Sequence, residues 1–264
     1  MQAFGAFAER LRRSTVQVFS HKERGGGSGV IWNSDGLILT NSHVARSAEM
    51  QVELWDGRRF PARVSSRDPR RDLAELRISA SSLEPASPGD SSTLRPGELV
   101  MAIGNPLGFA GALSTGVVHS IGALPGMGRQ SWIRANVRLA PGNSGGPLAD
   151  ARGRVIGINT AIVNGLGVAV PSNTASAFVS RGPRPALGVT LRPAQIGLEI
   201  LDLEPQGAAA RASLRTGDIL LMSFDDLSDA LDSGRDVLRL QFFRGDRTRV
   251  RETFVRLGAR AEAA

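Results

Sequence analysis

The sequence predicts a mainly β protein, with two antiparallel barrels or sandwiches followed by a small α+β module. Three observations carry this. Short Val/Ile/Leu runs recur between 31 glycines and 14 prolines, the texture of many short strands joined by tight turns. No helical pattern alternates with those runs, which argues against a parallel α/β sheet. At residues 181–185 a stiff Arg-Gly-Pro-Arg-Pro stretch divides parts of unlike charge: residues 1–185 hold 21 Lys/Arg against 13 Asp/Glu, and residues 186–264 hold 11 against 12.

Taken in order, residues 3–13 read as a helix, because Phe4, Phe7, Ala8 and Leu11 share one face. Strands follow at 15–20, 29–33 and 37–40, with turns at Gly25–Gly27 and Ser34–Gly36. Residues 50–54 and 59–64 form a hairpin about Trp55-Asp-Gly57, and 72–78 is the next strand. A Ser/Pro/Gly-rich linker, 79–96, leads to a second set at 99–103, 114–121, 132–135, 147–149, 155–162 and 167–170. Asn173 is expected to cap a helix over 174–180. Beyond the connector, strands at 187–191, 198–203, 219–224, 237–243 and 249–255 alternate with short helices near 207–212 and 228–231. The expected domains are an N-terminal helical segment (1–14), a barrel domain (15–180), a linker (181–185), the α+β module (186–258) and a tail (259–264).

Composition excludes several function classes. The chain of 264 residues has no cysteine, so disulfides, thiol catalysis and cysteine-held zinc are out. The net charge of +7 comes from scattered arginines, with Lys22 the only lysine. There is no basic stripe and no nucleic-acid module, so no nucleic-acid partner is expected. No run of 18 apolar residues is present to span a membrane. Residues 1–8 are too short and too soon interrupted by Glu9 and Arg10 for a secretory signal.

The stretch Ala140-Pro-Gly-Asn-Ser-Gly-Gly-Pro-Leu148 is the chemical focus. A tight glycine turn can present the Ser144 hydroxyl with backbone N–H groups facing the same small volume. A general base must come from three histidines. His21 lies in a polar approach beside Lys22 and Glu23, and His119 lies within a strand. His43 follows an apolar strand and stands at a turn mouth, where a side chain can project over a cleft. Among carboxylates, Asp72 precedes an apolar strand, whereas Asp56, Asp68 and Asp90 lie in polar turns. A carboxylate beside an imidazole fixes its tautomer and stabilises the imidazolium formed when the serine proton moves. The candidates therefore fall in the order His43, Asp72, Ser144.

Seven motifs in this order resemble the HtrA/Deg serine proteases, a chymotrypsin-like double barrel followed by a PDZ domain. They are Thr40-Asn-Ser-His-Val44, Asp72-Leu-Ala, Ala102-Ile-Gly-Asn-Pro-Leu-Gly108, Ser114-Thr-Gly-Val117, Pro141-Gly-Asn-Ser-Gly-Gly-Pro-Leu148, Val155-Ile-Gly-Ile-Asn159 and Ala169-Val-Pro-Ser-Asn173. The resemblance implies that His43 is the base, Asp72 its orienting carboxylate and Ser144 the nucleophile. It implies an oxyanion hole of Gly142 and Ser144 N–H groups with Asn143 between them. It implies a specificity pocket lined by Leu139, Ile162 and Val163, without an acidic residue, for cleavage after small or aliphatic residues. No cofactor and no metal are implied.

The last module resembles the family's PDZ domain. Ala186, Leu187, Gly188 and Val189 stand where a peptide carboxylate would be captured, and the link to the groove helix looks shortened to Asp225–Ser228. Phe4 and Phe7 resemble the aromatics through which relatives form trimers, so a homotrimer acting on unfolded protein or peptide is expected. The resemblance places such a protein in the periplasm or cell envelope. A latent or inactive protease, serving as chaperone or peptide-binding protein, is the alternative.

Overall fold

The computed structural model describes residues 2–20, 26–105, 111–180 and 186–257. His21, the connector Arg181–Pro185, residues 106–108 of the second-barrel motif and the tail 259–264 lie outside the described residues. The chain divides into two units, Met1–Ser180 and Arg181–Ala264.

In the first unit, six strands close into a barrel: β1 (Thr15–Phe19), β2 (Gly26–Ile31), β3 (Leu37–Thr40), β4 (Glu49–Glu53), β5 (Arg59–Asp68) and β6 (Leu73–Ile78). Their order is β1-β2-β3-β6-β5-β4. Six more make a second: β7 (Leu99–Gly104), β8 (Ala112–Ala123), β9 (Ser131–Ala135), β10 (Pro147–Asp150), β11 (Val155–Val163) and β12 (Leu166–Pro171), in the order β10-β11-β12-β9-β8-β7. Neighbouring strands are antiparallel throughout. The architecture is a mainly β, chymotrypsin-like double barrel.

Closure abolishes sheet edges, and alternation then decides what fills each interior. Val16, Val18, Ile38, Val52, Ala74 and Leu76 belong to the first barrel's own core. Val100, Ala102, Ile133, Leu148 and Ile156 belong to the second's. A third cluster joins the two barrels: Val30, Leu37, Leu39 and Leu73 pack with Met101, Ile103, Trp132, Ile158 and Val168. Each such fully buried aliphatic side chain contributes about 1.5–3 kcal/mol over leaving it in water. The barrels therefore share one apolar seam, and the polar groups described below lie across it. Helix α1 (Gln2–Arg13) buries Leu11 in that seam and packs Phe7 against it, while Phe4 stays exposed.

Several elements differ from their sequence reading. Gly26 and Gly27, expected within the turn Gly25–Gly27, are strand residues of β2. Strand β5 runs on to Asp68 because a register shift between Val64 and Ser66 absorbs the extra residue. The linker is anchored: Leu83 and Ala86 are buried, and the Ala86 N–H donates to the Ile31 carbonyl at 2.9 Å. Helix α2 starts earlier, at Ser172 (Ser172–Ser180). Asn173 bridges instead of capping, since its Oδ1 accepts from the Ser91 N–H and its Nδ2 donates to Asp90.

The second unit is a five-stranded sheet of β13 (Val189–Ala194), β14 (Gly197–Leu203), β15 (Ile219–Leu220), β16 (Val237–Arg244) and β17 (Asp246–Arg256), in that order, with helices α3 (Ala208–Arg211) and α4 (Phe224–Asp232). Strand β15 stops four residues short of expectation. Helix α4 begins at Phe224 and covers nine residues, so Asp225–Ser228, read as a link to the groove helix, lies within the helix itself. Ser223 caps it: its hydroxyl accepts from the Asp226 N–H, while the Asp226 carboxylate accepts from the Ser223 N–H. Residues 221–223 connect β15 to α4.

Candidate active site

Asp72 occupies the last loop position before β6, with φ +53°. Few side chains tolerate this left-handed conformation, and aspartate is among those that do. The Asn41 Nδ2 donates to the Asp72 carbonyl at 2.8 Å, and the Asp72 N–H donates to Pro69. So held, the carboxylate faces the turn after β3. Its Oδ1 accepts from the His43 backbone N–H at 3.0 Å, and its Oδ2 accepts from His43 Nδ1 at 2.8 Å. An ionised carboxylate can only accept, so Nδ1 is the donor in this pair, and in the neutral ring that leaves Nε2 as the acceptor.

From the second barrel, the Thr160 hydroxyl on β11 also donates to Asp72 Oδ2. Sequence reasoning missed Thr160, because a threonine inside a strand carries no sequence signal of its own. Next to it, the Ser144 hydroxyl donates to the Thr160 carbonyl at 3.1 Å. His43 is 41% exposed and Asp72 only 18%, so the ring opens to solvent while the carboxylate lies beneath it. The structure thus brings together His43, Asp72 and, through Thr160, Ser144, residues from both barrels.

The serine turn is held almost entirely through its backbone. The Asn143 N–H donates to the Ala140 carbonyl at 3.0 Å, closing a turn whose third residue, Gly142, has φ +105°. That combination, with Pro141 second, is a type II turn, which only glycine or asparagine enters readily at this place. The Gly145 N–H donates to Asn159, the Gly146 N–H to Asn143, and the Ser144 carbonyl accepts from Ser28. The N–H groups of Gly142 and Ser144 have no acceptor among the described residues. Two free donors flank an engaged one, the pattern a small oxyanion would fill. Asn143, expected between the two donors of the hole, spends its N–H in the turn, and its side chain is buried against Gly104. A Cβ on Gly145 would come within 2.0 Å of the Ser28 carbonyl oxygen, so the glycine after the serine is forced by the approach of the first barrel.

Residues 27–158 match the model of the trypsin-like peptidase domain. The chain belongs to the HtrA/Deg-type serine proteases. HhoA of Synechocystis sp. (strain ATCC 27184 / PCC 6803 / Kazusa), a protein named as a serine protease, is 34% identical over 269 residues, covering 84% of this chain and 68% of HhoA. The chloroplastic Protease Do-like 1 of Arabidopsis thaliana is 38% identical over 220 residues, 73% of this chain and 50% of its own length. The chain spans about half the length of the curated relatives it matches, 56% and 50% for two of them. Among solved structures, the HtrA-type protease AlgW with decapeptide superimposes with a TM-score of 0.67 at 25% identity, covering 98% of this chain and 99% of AlgW.

Within the HtrA barrel unit, the residues read as a specificity pocket divide. Leu139 is partly buried and lies beside Gly167, where an added Cβ would meet its Cδ1 at 3.0 Å. Ile162, the register partner of Gly167, is 54% exposed. Val163 points the other way, packing with Ala161 against the seam between the barrels. The alternation of β11 separates it from Ile162, so Val163 is not part of a pocket with Leu139 and Ile162. Glu75 is mostly covered, pairing with Arg77 at 3.1 Å and accepting from Ser65 at 2.9 Å. His119 is exposed on β8.

In the second unit, Gly188 has φ +68°, and its carbonyl accepts from the Glu204 N–H at 2.9 Å. Leu187 is buried in the unit's core, its carbonyl accepting from Ala209, while Val189 packs against that core. Ala186 precedes them at intermediate exposure. Strand β13, which these residues enter, is an edge of the sheet. Among the described residues no group of three or more His, Asp or Glu is arranged to hold a metal.

Proposed function

We propose that this chain is a serine endopeptidase acting through an acyl-enzyme on unfolded polypeptide. In this reading His43 Nε2 takes the Ser144 hydroxyl proton as Oγ attacks the scissile carbonyl carbon. The carbonyl oxygen gains the negative charge and is met by the N–H groups of Gly142 and Ser144. The imidazolium, stabilised by Asp72, then gives its proton to the leaving amine as the C–N bond breaks. Water repeats the sequence to release the acid. The observation that carries the reading is the pair of free N–H groups on either side of the engaged Asn143 N–H.

Leu139 and Ile162, both aliphatic, support cleavage after small or aliphatic residues, since a cation buried against aliphatic side chains is left unpaired at a cost. The positive φ at Gly188 and the open edge of β13 support capture of a peptide C-terminus by the second unit, as in a PDZ domain. Exposed Phe4 supports a homotrimer built through the N-terminal segment.

One observation favours a second reading, a latent form that binds more than it cuts: the Ser144 hydroxyl donates to Thr160, not to His43. Casein digestion by wild type and Ser144→Ala, with labelling by a serine-directed peptide phosphonate, separates the two. Digestion and labelling lost together in Ser144→Ala support the protease. An unlabelled, inert wild type that still suppresses aggregation would leave only the latent form. Light scattering of the same preparation, with and without residues 1–8, tests the trimer; a monomer in both refutes it.

A further inference from the structure

Resting on that protease reading, we propose that Ser28 is a positioning residue for the oxyanion hole: one first-barrel side chain and its own N–H hold the carbonyls of both residues that donate to the oxyanion. The Ser28 hydroxyl donates to the Gly142 carbonyl at 2.7 Å. The Ser28 N–H donates to the Ser144 carbonyl at 2.7 Å. Gly142 and Ser144 are the residues of this turn whose own N–H groups have no acceptor among the described residues.

The remaining bonds of Ser28 make it a hub. Its hydroxyl oxygen accepts from the Asn105 N–H at 2.9 Å, just past the end of β7, and its carbonyl accepts from the Thr40 hydroxyl. Ser28 is fully buried, so no water competes for these groups. The surrounding glycines show how close the approach is. A Cβ on Gly27 would fall 2.7 Å from the Ser144 carbonyl oxygen, and one on Gly146 would fall 3.1 Å from the Ser28 Cβ.

A peptide plane with both its groups bonded cannot rotate freely. The Gly142–Asn143 peptide is bonded at its N–H by Ala140 and at its carbonyl by Ser28. Fixing that plane fixes ψ of Gly142, while the type II turn fixes its φ, so the Gly142 N–H is aimed before substrate arrives. Glycine at 142 would otherwise pass easily between turn types, because it lacks the Cβ that forbids them. Removing the hydroxyl leaves a donor to be aimed at the moment of reaction, which is where preorganisation is lost.

The test is Ser28→Ala in the full chain, measured for kcat and KM on a cleavable peptide and for inhibition by a matching peptide aldehyde. The hemiacetal that Ser144 forms with the aldehyde uses the oxyanion hole. We expect kcat to fall about 10- to 100-fold, less than the 10²–10³ typical of deleting a donor outright. KM should stay within about threefold, and aldehyde affinity should fall in step with kcat/KM. Ser172→Ala is the control: Ser172 is fully buried and its hydroxyl donates to Gly89 at 2.7 Å, so it loses a similar bond away from the hole. Ser28→Cys, a weaker donor of similar size, should fall between wild type and alanine, and it carries the test should alanine not fold. Wild-type kcat in Ser28→Ala or Ser28→Cys, or equal losses in the Ser28 and Ser172 variants, would overturn the proposal while Ser144→Ala remains dead. A wild type with no more activity than Ser144→Ala would instead remove the protease reading, and this inference with it.

Discussion

Asp68 and Asp72 lie four residues apart on either side of one tight loop, and they are satisfied by different kinds of partner. Asp68 is 1% exposed and paired with the Arg71 guanidinium at 2.8 Å, with the Arg71 N–H donating to its other oxygen at 3.2 Å. Asp72 accepts from the His43 N–H, the His43 ring and the Thr160 hydroxyl. A carboxylate beside a permanent cation has its charge already balanced, and its burial serves the fold. One surrounded by neutral donors keeps its charge available for a cation that appears only during a reaction. Proximity to the same loop thus says little about role; the chemistry of the donors says more.

The sharpest way to break this comparison is Asp72→Asn. The asparagine amide would donate to Nδ1 and turn the imidazole to its other tautomer, so Nε2 could no longer accept the serine proton. We expect kcat to fall by about 10⁴ with little change in the urea midpoint. A loss below tenfold would contradict the role assigned to Asp72.

Asp68→Asn should do the reverse. It removes the buried carboxylate charge that faces Arg71, itself only 16% exposed, and should cost about 3 kcal/mol of stability. Activity per folded molecule should stay within a few-fold, read from active-site titration beside urea denaturation. A large kcat loss among correctly titrated sites would mean the two aspartates are not separable.

Thr160→Val removes one donor from Asp72 without touching His43. A hydrogen bond to a charged group is worth about 1.5–3 kcal/mol, and part of that should be recovered by rearrangement. About a tenfold fall in kcat is expected, the smallest of the three effects. No change would show that His43 alone orients the carboxylate.

Much of the fold was legible because the barrel strands are short apolar segments between turns, some alternating in burial, as in β1 and β4, and others buried throughout, as in β3. The turn around Ser144 was legible because glycine, proline and asparagine are punctuation with backbone reasons behind them. Other features were not. Asp68 reads as a polar turn because its neighbours are Pro69, Arg70 and Arg71, yet β5 carries it inside. Gly25–Gly27 reads as a turn, since nothing local says that Gly26 and Gly27 will enter a strand pressed by a second chain segment. Helix α4 was misplaced by four residues, because Phe224 looks like a strand end and Asp225–Ser228 like a link until Ser223 and Asp226 cap each other.

What the sequence determined by itself about this protein was therefore local: where strands alternate, where turns fall, and which serine, histidine and aspartate stand at turn mouths. The motifs also carried the family. Only the tertiary structure decided which backbone groups are spent and which are left free. Hydrogen-bond satisfaction is a property of the whole arrangement, since every buried donor needs an acceptor and distant strands supply it. Ser28 reaches Gly142 across 114 residues of chain, and Thr160 reaches Asp72 across 88. No periodicity along the sequence encodes such a bond; closure of two barrels on a shared seam does.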